Sequence, residues 1–458
     1  MSLPPDRPLL IRGARLFDGT RFHDDCDLAA GVDGRILAVG PGLDVPEGAE
    51  TLDARGRTLL PGLVDCHVHF REPGLERKEG YATGSAGALH GGVTTVCEIQ
   101  NNPPLMESGE RLQAKLDALR GVSRVDYAPY GSLTMDALPH LDSLRGLCPA
   151  VKCFLGCSTG AGGVKSEAEM RALFEGAARA GLLVVAHCED NAIMDRAAAE
   201  VSPEQETRHD LLRPRASEVQ SIRDALRVAK EVGARLHVFH VSTAEGARLV
   251  AEAAAAGQDV GLSTGPHYLL VTAEEAHDAP QNRFKVNPSI KYEEDRDDLA
   301  RMLGAGTVRI VGTDHAPHPL DEKARPYAKA PSGFPSIDLL LPLMYAVADR
   351  HGIPEEAVLA SVTRAPADEF GLTAKGRLEP GADADFLLVD PGAQHIVNEV
   401  MLPSKSKWSP YHGRMLRGFP EAVWLRGRQV WRRGMVQGAP GGRPLFGVEA
   451  AAERDAPA

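Results

Sequence analysis

Short, partly alternating apolar runs closed by glycine, proline or aspartate open the chain. LLIRGARLFDG, RILAVGPG and ETLDARGRTLLPG read as β-strands within residues 1–60. The stretch from about 380 to 437 reads the same way, with DADFLLVDP followed by EAVWLRGRQVWRRGMV. Two β-rich ends around one long middle predict a small β-sandwich domain built from both termini, over 1–60 and 375–440. Two unrelated extensions are the alternative. Residues 441–458, ending VEAAAERDAPA, predict a frayed tail.

The middle, 61–374, alternates between apolar runs and Ala/Leu/Glu/Arg-rich stretches of helical period. GLLVVAH follows EAEMRALFEGAARA, RLHVFH follows SEVQSIRDALRVAKEVG, and TVRIVGTDH follows DRDDLARML. Strand–helix alternation over that length predicts an α/β fold, a (β/α)₈ barrel. An open doubly wound sheet is the competitor, but no GxGxxG follows an early strand.

Composition narrows the class. The 458 residues are 43% hydrophobic and 25% charged, as in an ordinary globular chain. A net charge of -12, from 63 acidic and 51 basic residues, argues against nucleic-acid and anionic-membrane partners, and sets a puzzle for any anionic small-molecule substrate, which an acidic protein should repel. MSLPPDRPLLIRG has no apolar stretch of signal-peptide kind, and no run approaches the roughly 18 residues of a membrane span. The 7 cysteines form no CxxC pair and read as reduced, buried thiols, hence a cytoplasmic protein. Cys153 and Cys157 are read as packing residues, since no tetrahedral Cys/His set surrounds them.

Polar residues recur at the ends of the apolar runs. His67 and His69 close LLPGLVDCHVH, and residues i and i+2 of a strand share a side. Lys152 lies in AVKCFLG, His187 ends GLLVVAH, His240 ends RLHVFH and Asp314 sits in IVGTDHAPH. A single HxH is weak evidence. In a barrel, however, strand C-termini converge on one face, and imidazoles with a carboxylate there suit Zn²⁺ or a similar divalent ion. His237, three residues before His240, is expected to point the other way. Of the two histidines that follow Asp314 in the loop, His318 rather than His315 is read as facing the ligand. Lys152 cannot ligate a metal as an ammonium. A lysine that sheds its proton in an apolar site can add CO₂ and become a carbamate able to bridge two metals; an ordinary buried lysine paired with an acid is the alternative.

LPGLVDCHVHFREPGLERKEGYATGSAGALHGGVTTV resembles the first strand and loop of dihydroorotases, in the cyclic amidohydrolase group of the amidohydrolase superfamily. TGPHYLLVT, KVNPSIK, GTDHAPH, APSGFP and KSKWSPYHGR resemble family blocks in the expected order across nearly the whole chain. The resemblance implies a (β/α)₈ barrel with a flanking β-sandwich. It implies two zinc ions, one on His67, His69 and Asp314 and the other on His187 and His240, bridged by a carboxylated Lys152. Arg71, Asn101 and His318 match residues that hold a substrate carboxylate, and Asn287 one that contacts the ring. The implied reaction is the reversible hydrolysis of (S)-dihydroorotate to N-carbamoyl-L-aspartate, with metal-activated water as nucleophile and Asp314 as general acid/base. A homodimer is expected, with aspartate carbamoyltransferase as the partner in the rival reading of a non-catalytic subunit. The family's MPNT reads Ile99-Gln100-Asn101-Asn102 here, its NPPLR reads Asn287-Pro288-Ser289-Ile290-Lys291, and its CPHY reads Gly265-Pro266-His267-Tyr268. These departures bear on substrate choice more than on metal chemistry. The rival readings are an allantoinase, dihydropyrimidinase or hydantoinase, and a non-catalytic dihydroorotase-like subunit.

Overall fold

A computed structural model describes residues 7–160 and 162–447. Its centre is a parallel barrel. A three-stranded and a six-stranded parallel sheet meet where Asp126–Pro129 runs on into Gly131–Ser132, with Tyr130 donating its amide to Glu98 at 2.8 Å. The resulting strand order is Leu63–Val68, Val93–Glu98, 126–132, Val151–Phe154, Val184–His187, Leu236–Val238, Val260–Thr264 and Ile310–Val311. The ring closes through the His69 amide on the His315 carbonyl, 2.7 Å.

Alternate strand residues fill the interior. Val64 and Cys66, Ala128 and Tyr130, and Leu183 and Val185 pack together inside, as layered barrels require. Outward residues such as Val151, Cys153, Val184 and Val238 pack under the helices. This parity turns Lys152, between Val151 and Cys153, inward. The helices follow the sequence signals. Residues Glu167–Arg179 begin behind Ser166, whose side chain accepts the Glu169 amide, and present Leu173, Phe174 and Ala177 to the barrel.

The two β-rich ends join. Thr58–Pro61 pairs antiparallel with Phe386–Val389 inside one nine-stranded sheet that carries strands from both termini. Its own core gathers Leu9, Ile11, Leu28, Leu59, Phe386 and Trp424. Lys375 ties this sheet to the barrel. Its ammonium lies 2.6 Å from Asp385 and 2.7 Å from Asp383, and also bonds Asp126 on the third barrel strand.

Two expectations change. Residues 441–447 are not frayed. The Gly442 amide bonds the Ser123 carbonyl at 2.9 Å and the Leu445 amide the Tyr127 carbonyl at 3.0 Å, because the chain crosses the foot of the barrel beside the third strand. The rest of the expected tail, 448–458, lies outside the described residues. All seven thiols are free and six are buried, but Cys157 is exposed on the loop after the fourth strand rather than packed. No helix among the described residues is long and apolar enough to cross a membrane.

Candidate metal centre

The first barrel strand positions the leading pair. A register shift between Asp65 and Val68 inserts a bulge there, which re-aims the side chains that follow. His67 and His69 both end with Nε2 at 3.3 Å from Asp314 Oδ1. One ligand atom from each of the three lies within 4.8 Å of the others. Asp65 anchors the bulge, accepting from the Thr313 hydroxyl at 2.5 Å and the Thr313 amide at 3.1 Å. Between Thr313 and the last strand sits Gly312, where a Cβ would meet His67 Cβ at 3.2 Å and Cys66 Sγ at 3.1 Å. A side chain there would press on the first strand, which glycine leaves clear.

Three cavity residues sit in left-handed backbone: Arg71 at φ 66, His240 at φ 43 and Asp314 at φ 48. Such conformations cost a non-glycine residue on the order of 1 kcal/mol or more and cluster at functional sites. For His240 the turn decides its direction. Phe239 already faces the barrel interior, and the left-handed residue after it swings His240 back to the same mouth. His237 faces inward below it, bonded to Glu369 at 2.8 Å and away from the site.

The second pair is His187 Nδ1 and His240 Nε2, 3.1 Å apart. The two pairs adjoin, with the His67 and His240 ring centroids 5.1 Å apart. Burial pushes the pKa of all four imidazoles down, that of His69 to about 4, so each is the neutral, lone-pair form that binds metal. Hydrogen bonds fix two tautomers. His69 Nδ1 donates to the Ile99 carbonyl at 3.0 Å and leaves Nε2 free toward Asp314. His187 Nε2 donates to Glu189 at 2.9 Å and leaves Nδ1 free toward His240. Burial alone would raise the Glu189 carboxyl, but Arg213 and His187 bring it down to about 2.

Lys152 stands among them. Its Nζ is buried without a hydrogen-bond partner, 4.7 Å from the Phe239 ring centre and 4.8 Å from that of Phe154. Burial lowers its pKa to about 7, with Asp314 pulling the other way. The structure thus removes one alternative, since no acid pairs with this lysine among the described residues. The donor set fits a divalent metal pair: four neutral imidazoles, one carboxylate and an amine that loses its proton easily. The other carboxylate trio, Asp126, Asp383 and Asp385, fits none. It is filled by the Lys375 ammonium, which those three acids keep charged against the pull of burial.

The cavity of about 30 Å³ at this mouth is lined by nine of the ten residues expected there: His67, His69, Arg71, Asn101, Lys152, His187, His240, Asn287 and Asp314. A larger cleft of about 320 Å³ shares Asn101, Lys152 and Phe154 with it. Arg71 donates to Asn101 Oδ1 at 2.6 Å, and Asn101 donates to the Thr159 carbonyl at 3.1 Å. His318 is the exception. Its Nδ1 lies 2.8 Å from Lys78 Nζ and its Nε2 3.1 Å from the carbonyl of Ser332, itself a cavity residue, so both ring nitrogens are engaged. The substitutions Gln100 and Asn102 do not loosen their loop. Both amides donate to the Pro73 carbonyl, at 2.7 and 2.8 Å, clipping the segment after Arg71 to the segment that carries Asn101.

Sequence reasoning missed Glu189, Arg213, Ser158 and Thr159. Glu189 was within sight, two residues after His187 in HCED. Arg213 carries no local pattern. It reaches Glu189 across the fold and also donates to the Cys157 carbonyl at 2.7 Å. Arg213→Met is therefore expected to weaken metal binding about 10- to 100-fold, because the carboxylate that orients His187 loses its counter-charge. Metal titration into chelator-treated protein measures this; unchanged affinity would refute the role.

Over 449 residues the chain is 38% identical to an allantoinase of Rubrobacter xylanophilus, covering 95% of this chain and 96% of that one. A dihydroorotase of Bacillus cytotoxicus is 32% identical over 412 residues, covering 88% and 93%. The solved L-hydantoinase (dihydropyrimidinase) from Arthrobacter aurescens superposes with a TM-score of 0.89 at 27% identity, over 95% of this chain and 98% of that one. Residues 58–430 match the amidohydrolase family, a span that holds every residue of the centre and the barrel around it. The chain belongs to the amidohydrolase family.

Proposed function

We propose that the protein hydrolyses a cyclic amide whose ring bears a carboxylate, with dihydroorotate as the substrate and N-carbamoyl-L-aspartate as the product. The observation that carries the substrate choice is Arg71. Its guanidinium lines the cavity, is buried, and keeps Nε without a partner. Burial lowers its pKa only to about 10, so it stays cationic near pH 7. A buried cation with an unused N–H suits an anionic ring substituent and is wasted on a neutral ring.

His67, His69 and Asp314 would hold one zinc ion, and His187 and His240 the other, with Lys152 between them as a carbamate. Such a pair, when bound, supplies an electrophile for the carbonyl oxygen and lowers the pKa of water. Asp314 takes the proton from the attacking water and delivers it to the leaving ring nitrogen. Asn101 holds the Arg71 fork in place, and Arg71 holds the ring by its carboxylate.

A second reading has its own support, since the allantoinase relative has the higher identity and coverage of the two curated relatives above. A panel of dihydroorotate, allantoin, dihydrouracil and hydantoin on zinc-replete protein separates them. Dihydroorotate is expected to be the ring turned over, and Arg71→Lys to raise its KM about 10-fold or more by losing a charge-assisted bond. Turnover of allantoin without dihydroorotate would overturn the choice.

A further inference from the structure

Asn287 reaches the cavity from the loop after the seventh barrel strand, and the group that orients it lies behind it. His209 Nε2 is 2.9 Å from the Val286 carbonyl oxygen and 2.9 Å from Asn287 Oδ1. A backbone carbonyl can only accept, so Nε2 carries the hydrogen. Burial, with the charges of Arg213 and Lys285, pushes the ring's pKa down to about 3, so near neutral pH Nδ1 keeps its lone pair. The Tyr327 hydroxyl donates to it. The Asn287 atom that meets the Nε2 hydrogen must then be the carbonyl oxygen. Its NH₂ is turned to the other side, 3.4 Å from Ser158 Oγ, and Ser158 also lines the cavity.

We propose that His209, held by Tyr327, is a positioning residue that keeps the Asn287 NH₂ facing the substrate, so that the site selects a ring with a carbonyl acceptor at that point. A carboxamide free to rotate would offer its oxygen equally well and accept a ring N–H instead. With His209 in place the rotated form sets two donors face to face and loses a hydrogen bond. A site that leaves a buried polar group unpaired rejects the wrong ring. The inference rests on the cavity being a ring-amide site.

The test compares His209→Leu, His209→Gln, Asn287→Ala and the His209→Leu/Asn287→Ala double variant with the wild type. The substrates are whichever ring of the panel the wild type hydrolyses and its analogue with sulfur in place of the carbonyl oxygen away from the scissile bond. His209→Leu is expected to raise KM about 5- to 10-fold with kcat within about twofold, as lost uniform binding does. His209→Gln, which keeps a donor, should recover most of that loss. The double variant should be no worse than Asn287→Ala alone, and the preference for oxygen over sulfur should narrow in His209→Leu. Additive losses in the double variant, a fall in kcat alone, or a glutamine variant no better than leucine would overturn the positioning role and leave the hydrolase reading standing. A wild type that opens no ring of the panel overturns that reading and this inference together.

Discussion

Asp314→Asn is expected to lower kcat by about 10²- to 10⁴-fold, the usual worth of a positioned proton carrier, with a further loss from weakened metal binding. The substitution keeps the shape of the side chain and removes its charge. Asp314 Oδ1 lies 3.3 Å from both His67 Nε2 and His69 Nε2, so the one oxygen faces the whole first pair. An amide there can still point an oxygen at a metal. It cannot take the proton from water and pass it to the ring nitrogen. Metal content per chain separates the two effects. Zinc stoichiometry near wild type with activity lost assigns Asp314 the proton, whereas zinc lost with activity assigns it mainly ligation. Turnover within tenfold of wild type would contradict both roles.

The barrel was legible because its apolar runs have strand length and end in chemistry. Val184–His187 and Ile310–Val311 are short, fully buried and flanked by helical repeats, so the position of His187 and Asp314 at one face followed from the fold class alone. The pairing of the two β-rich ends was legible for a similar reason, since each end carries apolar strands that neither could bury alone. The directions of three residues were not legible. Arg71, His240 and Asp314 adopt positive φ, and nothing in a non-glycine residue's type announces that. His237 shows the consequence. Counting alternate residues set it opposite to His240, yet both face inward, because the left-handed turn at His240 breaks the period of two. His318 was drawn toward the substrate by its place in TDHAPH. Lys78 and the carbonyl of the cavity residue Ser332 engage both of its ring nitrogens. The tail was misread for want of the same information, as 441–447 has little apolar character until it meets the backbone of 123–127. Net charge was equally uninformative about the ligand. A chain of net charge -12 still gathers Arg71, Lys152 and four imidazoles at one mouth.

Lys152→Ala is expected to abolish turnover and to lower bound zinc, and a short carboxylic acid such as acetate or propionate should restore part of both. The Lys152 Nζ is buried between two aromatic rings without a partner, so the ammonium has lost water and gained no counter-ion at hydrogen-bond distance. That brings its pKa to about 7, where an ordinary lysine stays charged up to about 10. The free amine is the form that adds CO₂, giving R–NH–COO⁻ and releasing one proton. Carbamate formation in chelator-treated protein should therefore rise steeply as pH passes from 6 to 8 and level off above, and ¹³C-bicarbonate NMR reads it directly. The stability of the uncarbamylated, metal-free chain follows the same linkage. The folded pKa lies below the unfolded one, so the cost of burying the ammonium is full below about pH 7. It fades as pH rises toward the unfolded value, since between the two only the unfolded chain still binds the proton. The contribution of Lys152 alone should thus rise between pH 7 and 10 by on the order of 4 kcal/mol, read as the difference between wild type and Lys152→Met, which should itself be the more stable metal-free chain at pH 7. Full activity in Lys152→Ala, or a ¹³C spectrum without a carbamate signal at pH 8, would remove the bridging role and leave Lys152 as an apolar-site amine.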